Sequence, residues 1–307
     1  MTTFLENFNI PIGSVDIDFF DPILEKDTPF YIDSYYLTWS PNKYVQTALE
    51  TQKVFMTELM EALKNKDEKK AIELCFHFPE PKFTGLGVSK DSVNGRGSKD
   101  IKVDKILTCL KSSKAAQSGL LEDLEELILV TENIGADTIS DITTNICLKH
   151  FADYTKEQCL KLGIQTSETQ KSFGYFCLID KKWKKIKLDL PHVPWGKDKI
   201  VGPVILIPLQ ILDKMISYNS NYLFTNIATP LYKQEAIKKY PSASFIYSLK
   251  SNGEKRVRVK DLRKQYPEYR GGKNKMDELI AKNPKLLKEY KEKVAKSRYL
   301  KRKGNDS

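Results

Sequence analysis

From Tyr44 to about Lys64 the apolar residues Val45, Leu49, Val54, Phe55, Leu59, Met60 and Leu63 recur at three- and four-residue intervals. That spacing predicts a long helix with one buried face. A short helix over residues 69–75 should follow it. Upstream, Ser14 to Phe20 alternates Val15, Ile17 and Phe19 against Asp16 and Asp18, which predicts a strand with its acids on one face. Phe30 to Leu37, entered through Pro29, reads as another extended segment. Helical patterns run from Ser118 to Thr131 and from Thr138 to Leu162, with Glu132 to Asp137 between them. Phe173–Ile179 and Trp183–Leu188 read as a hairpin, and Val204–Ile207 as a short buried strand. The whole is a mixed α/β (α+β) fold with a helix-rich body.

The last quarter reads differently. Ser244–Lys250 and Lys255–Lys260 flank Asn252-Gly253, a strong hairpin signal because such turns need positive φ. Val257 and Val259 are expected to face inward, with Arg256, Arg258 and Lys260 on the open face. Asp261 suits the N-cap of a short helix ending before Pro267. Helices around 276–282 and 284–300 complete a small basic hairpin-plus-helices module. Tyr218 to Pro230 interrupts the apolar periodicity, so we place a body at 1–225 and the module at 231–307, with no internal repeat.

Charge sharpens this division. The chain has 307 residues, 50 Lys and Arg against 40 Asp and Glu, and a net charge of +10. Residues 231–307 hold 23 basic against 9 acidic groups, +14 net, whereas the first 230 hold 27 against 31, −4 net. The positive surface belongs to the module, as expected of a part that meets a polyanion. With 40% apolar residues the chain can bury a core. The first residues show neither the basic n-region nor the apolar core of a secretion signal, so export is not expected, and the longest apolar stretch, 201–212, is broken by two prolines and falls short of the ~20 residues that span a bilayer. No membrane role is expected. Cys75, Cys109, Cys147, Cys159 and Cys177 stand singly in apolar surroundings, the usage of reduced core thiols in a cytoplasmic protein.

The chain carries no P-loop, no zinc-spaced cysteines, no H-E-x-x-H and no nucleophile elbow. Its three histidines lack the company of an activated Ser or Cys. Three segments remain. The glycine-rich stretch 85–100 opens onto a predicted helix and offers Ser89, Lys90, Asn94, Arg96, Ser98 and Lys99, residue types that hold phosphate at a helix N-terminus; the alternative is a surface loop with a capping Ser or Asp. Asp137 and Asp141, four apart on a predicted helix, share a face with Ser140 and Thr144, and two like charges at that spacing invite a cation between them. The alternative there is a helix cap beside a solvated acid. Arg256, Arg258, Lys260, Arg263, Lys264 and Arg270, interleaved with Tyr266 and Tyr269, fit backbone and stacking contacts to nucleic acid. Leu286, Leu287, Tyr290 and Val294 form a stripe that must pack on something, a protein partner included.

Three weaker patterns lie elsewhere. Cys147 and His150 lie three apart but lack two further metal ligands. Asp16 and Asp18 share a strand face, the geometry of some metal-dependent transferases. Asp141 with Asp180-Lys181-Lys182 matches the letters, though not the expected elements, of a restriction-nuclease site. The expectation is a nucleic-acid-associated protein, with a metal-dependent phosphodiesterase (nuclease) reading in which Asp137 and Asp141 hold Mg²⁺, Glu132 assists, and the loop steadies phosphate. The alternatives are a non-enzymatic nucleic-acid-binding or assembly subunit, and a sensor of a phosphorylated small ligand.

Overall fold

In a computed structural model of the protein, residues 1–11, 13–87, 106–108, 110–131, 134–214 and 218–305 are described, with side chains for all of these except 273–274 and 298–305. In chain order they form α1 (Phe4–Asn7), β1 (Tyr31–Ile32), α2 (Ser34–Leu37), α3 (Lys43–Lys64), α4 (Glu68–Cys75), α5 (Lys114–Gln117), a 3-10 turn (Leu124–Glu126) leading into α6 (Leu127–Val130), α7 (Ala136–Ile146) and α8 (Leu148–Leu162). Then come β2 (Ser167–Glu168), β3 (Phe173–Cys177), β4 (Lys182–Ile186), β5 (Asp189–Leu190), β6 (His192–Trp195), β7 (Ile200–Pro203) and β8 (Leu212–Asp213). The chain closes with α9 (Ser220–Leu223), a π-helical stretch (Phe224–Ala228), α10 (Thr229–Lys239), β9 (Ile246–Ser248), β10 (Lys255–Val257), α11 (Val259–Gln265), α12 (Lys273–Lys282) and α13 (Lys285–Asn305). The fold is mixed α+β, about 50% helical with 14% in short antiparallel strands. These strands pair two by two: β1 with β8, β2 with β5, β3 with β4, β6 with β7, and β9 with β10.

Helix α3 is the spine. Asn42 caps it, its Oδ1 accepting the Tyr44 N–H at 2.9 Å, and its buried face presents Val45, Ala48, Phe55, Met56, Leu59 and Leu63. Phe55 meets Phe78, Phe176 and Trp183 edge to face, with centroids 5.2–6.2 Å away, so the β3–β4 hairpin closes one side of the helix. A second core gathers Phe4, Phe19 and Leu24 with Tyr154, Val193, Trp195 and Leu206. A third, small one joins Ala236, Phe245, Val257, Leu262 and Tyr269.

Several elements differ from the sequence reading, each for an identifiable reason. Residues 14–20 form no strand: only Phe19 bridges to Pro208. Val204–Ile207 is buried but also pairs with no strand, because its amides are taken by Pro191 O, Phe83 O and the Thr155 hydroxyl. Asp33 starts α2 inside the expected extended segment by accepting the Tyr35 N–H at 3.2 Å. The pattern over 138–162 splits at Cys147 into α7 and α8. Residues 218–230, where the apolar periodicity breaks, run into a helix from Ser220 to Lys239 that accommodates Pro230 in the first turn of α10. In the basic hairpin the positive φ falls on Gly253 alone, and Arg258, not Asp261, occupies the N-cap of α11.

The C-terminal helices are built into the main core. Met276, Ile280, Leu286, Leu287, Tyr290 and Val294 are buried in the same cluster as Phe55 and Leu59. Asp277, itself buried, accepts from the Ser113 hydroxyl at 2.6 Å and from the Lys114 and Ala115 amides at 2.7 and 3.0 Å, capping α5 from across the fold. The apolar stripe of α13, for which a protein partner was one expectation, is covered by the chain's own body.

Candidate functional site

Helix α7 carries the acidic candidates. The polar side chains that crowd this helix have a packing cause: the Ser140 hydroxyl accepts the Ile32 N–H at 3.0 Å, and Thr143 meets Ser34 at 3.3 Å. Thr144 donates to Ser140 O at 2.8 Å, and the Asn145 amide donates to Pro79 O and Asp141 O at 2.8 and 2.7 Å. These four side chains are buried and lock α7 against β1, α2 and residue 79. Asp137 remains exposed and Asp141 half-buried on the outer face.

Asp137 has company the sequence did not reveal. Gly87 lies between carboxylates, a Cβ built on it coming 3.9 Å from Asp27 Oδ2 and 4.0 Å from Asp137 Oδ1. Hydrogen bonds from Thr28 N to Gly85 O and from Gly87 N to Thr28 O hold that strip of chain beside Asp27. Burial, then the charges of Glu80 and Asp137, push the Asp27 carboxyl up to about 6. An acidic patch of Asp27, Glu80 and Asp137 therefore stands where the chain enters the glycine-rich stretch. Among the described residues, no three His, Cys, Asp or Glu are grouped so as to hold a metal ion. Glu132 and the loop residues Ser89, Lys90, Asn94, Arg96, Ser98 and Lys99 lie outside the described residues.

The minor candidates have structural partners. His150 Nε2 is 2.8 Å from the Thr51 hydroxyl, and the buried Cys147 thiol donates to Ala48 O at 3.4 Å. Asp18 accepts the Tyr154 hydroxyl at 2.6 Å. Asp180 sits in the β3–β4 turn, paired with Lys184, while Lys181 pairs with the buried Glu58 at 2.8 Å.

The basic candidates gather on one small unit, β9–β10 with α11. Arg256, Arg258, Lys260, Lys264 and Arg270 are exposed. Arg258 lies over the ring of the exposed Tyr247, 5.0 Å from its centroid, and donates to Ser244 O at 3.1 Å. Arg256 pairs with Glu254 at 2.9 Å. Arg263 is half-buried instead: its guanidinium covers Phe224 at 4.7 Å and donates to the Thr229 hydroxyl at 3.1 Å, tying α11 to the preceding helix. Arg270 Nε donates to Arg263 O at 3.1 Å. Gly271 follows because Phe224 lies 2.9 Å from where a Cβ would stand.

One group escaped the sequence reading. Lys291 of α13 meets Glu122, Asp123 and Glu126 at 2.9, 3.0 and 2.8 Å; burial works against its charge, but Glu126 and Asp123 outweigh it and raise the ammonium pKa. Beside this knot Glu125 is fully buried, and burial, then the charge of Asp33, pushes its carboxyl up to about 8. The available signal was Glu125-Glu126, close behind Glu122-Asp123, among the leucines and other apolar residues of 120–130.

The molecule is thus a mixed α+β protein with a basic, aromatic-bearing hairpin unit beside a helix-rich body. Residues 9–219 match the family model described as Domain of unknown function (DUF8370), and the chain belongs to that family. Among curated proteins and among solved structures nothing matches it.

Proposed function

We propose that the protein is nucleic-acid-associated and that the hairpin unit makes the contact. The observation that carries this reading is the set of exposed cations Arg256, Arg258, Lys260, Lys264 and Arg270 on this unit, with Arg256 and Arg258 flanking the exposed Tyr247. Guanidinium and ammonium groups neutralise backbone phosphates, and an exposed tyrosine offers a base a stacking surface. Glu254 is the acid that pairs with Arg256 here, and an exposed pair of this kind gives way at little cost. The rigid support is the small core under the unit and the Arg263–Phe224 contact, which fix the strands without consuming the outward cations.

The test is binding of a labelled duplex and a labelled single strand by the full chain as a function of salt. Reversing three charges, Arg256→Glu, Arg258→Glu and Lys264→Glu, should lower affinity at least tenfold and flatten the slope of log K against log salt by about 2 to 3, roughly 0.9 for each phosphate no longer neutralised. Tyr247→Ala should weaken the single strand more than the duplex. Wild-type affinity and slope in the triple variant would sink the proposal.

The hydrolytic reading rests on Asp137 and Asp141, with Mg²⁺ as the cation, and its observation is the acidic patch that Asp137 shares with Asp27 and Glu80. If it holds, Asp137→Asn with Asp141→Asn abolishes Mg²⁺-dependent cleavage and leaves binding by the hairpin unit intact. Cleavage at the wild-type rate by that double variant would exclude these residues from the chemistry.

A further inference from the structure

Between α3, residues 118–123 and α13 lies a cleft of about 630 Å³, in the range of small-molecule sites. At its inner end a chamber of about 30 Å³ shares Tyr35, Lys53, Asp123 and Tyr218 with the cleft and reaches Gln52 and Glu125. That volume takes one small polar group. Gln52 is 3% and Glu125 2% exposed; the Ser34 hydroxyl bonds the Glu125 carboxyl, yet the Oε1 atom of each residue is buried without a hydrogen-bond partner. Buried acceptors are normally paired. Two of them at the foot of one cleft therefore point to a donor that arrives from outside.

The surroundings select the kind of donor. Asp33 and Asp123 add their charge to burial in disfavouring ionised Glu125. The Tyr218 hydroxyl is pushed up by burial and by Glu125, Asp123 and Glu126. The foot of the cleft is thus rich in acids: Lys53 is the cation that lines the inner chamber, its side chain exposed on α3, while Lys291 is engaged by Glu122, Asp123 and Glu126. A bare metal ion is a poor fit, because no three carboxylates among the described residues are grouped to hold one and Asp33 is engaged at the start of α2. An ammonium group has three donors and no acceptor, and the rings of Tyr35 and Tyr218 on the cleft wall suit a cation.

We infer that this cleft binds a small organic cation whose primary ammonium head seats on the Oε1 atoms of Gln52 and Glu125. The site is independent of the hairpin unit and of the acidic patch on α7. At pH 7 Glu125, held up at about 8, carries its proton in the free protein; Lys53, Glu122, Asp123, Asp33, Tyr35 and Tyr218 are charged and titratable groups around it. Seating the ammonium ionises Glu125, so binding releases a proton.

The experiment is calorimetric titration and thermal melting of the full chain with putrescine. Saturable binding is expected, with a raised melting temperature and a binding enthalpy that varies with the ionisation enthalpy of the buffer. Glu125→Gln should weaken binding at least tenfold, and Thr57→Trp, at the exposed mouth, should do the same without disturbing the floor. If Glu125→Gln does not fold, Thr57→Trp decides. No heat and no thermal shift at millimolar putrescine overturns the inference, as does wild-type affinity in Thr57→Trp or tighter binding of adenosine monophosphate or Mg²⁺ alone.

Discussion

Asp27 shows how a single residue reports on its neighbours. Its carboxyl is pushed up to about 6 because it is half-buried and faces the charges of Glu80 and Asp137. An acid with a raised folded pKa holds its proton more tightly in the folded protein, so its contribution to stability is present at low pH and is lost as pH climbs from about 4 through 6. Asp137→Asn removes one of the charges and should lower the Asp27 pKa, modestly since burial is the larger cause. A carboxyl-carbon NMR titration reads this directly; an unmoved Asp27 midpoint would contradict the proximity of the two side chains. The same variant should flatten the fall in stability between pH 4 and 6.

At the scale of elements, helix ends are completed by residues far away in sequence. The four residues of α5 are too few to hold a helix by themselves, and Asp277 of α12 supplies the acceptors for its first amides. Asp277→Ala should cost about 1–2 kcal/mol in urea unfolding, and Asp277→Asn should cost less because one acceptor oxygen remains. Loss of less than half a kcal/mol in the alanine variant would show that the cap is not stabilising. Short strands follow the same logic: β1 and β8 pair over two residues only, and the Ile32 amide reaches Ser140 on α7 instead of continuing the ladder.

For the whole molecule, the decisive fact is that the C-terminal helices complete the main core. Truncation after Arg270 removes Met276, Ile280, Leu286, Leu287, Tyr290 and Val294 from that core. Burial of an aliphatic or aromatic side chain contributes roughly 1.5–3 kcal/mol each, so the truncated chain should lose its cooperative melting transition, whereas the triple charge variant of the hairpin unit should melt as the wild type does. A truncated chain that melts at the wild-type temperature would show that the core closes without these helices. The periodicities of α3, of α4 and of the β3–β4 hairpin were legible because each is a local repeat with one buried face, and the charge of residues 231–307 needed only counting. What local pattern could not carry was where polar side chains go. Ser140 and Thr144 read as company for a cation between Asp137 and Asp141 until the Ile32 amide took the Ser140 hydroxyl and Thr144 bonded back to Ser140 O. Val204–Ile207 read as a strand until its amides met loops and a threonine. Sequence by itself determined helical faces, the hairpin and the charge partition, since these depend on spacing and composition. Only the tertiary structure decided the neighbours of Asp27, the Lys291 knot and the cleft above Glu125, because hydrogen bonding, desolvation and Coulomb interaction act over a few ångströms between residues separated by up to 169 positions.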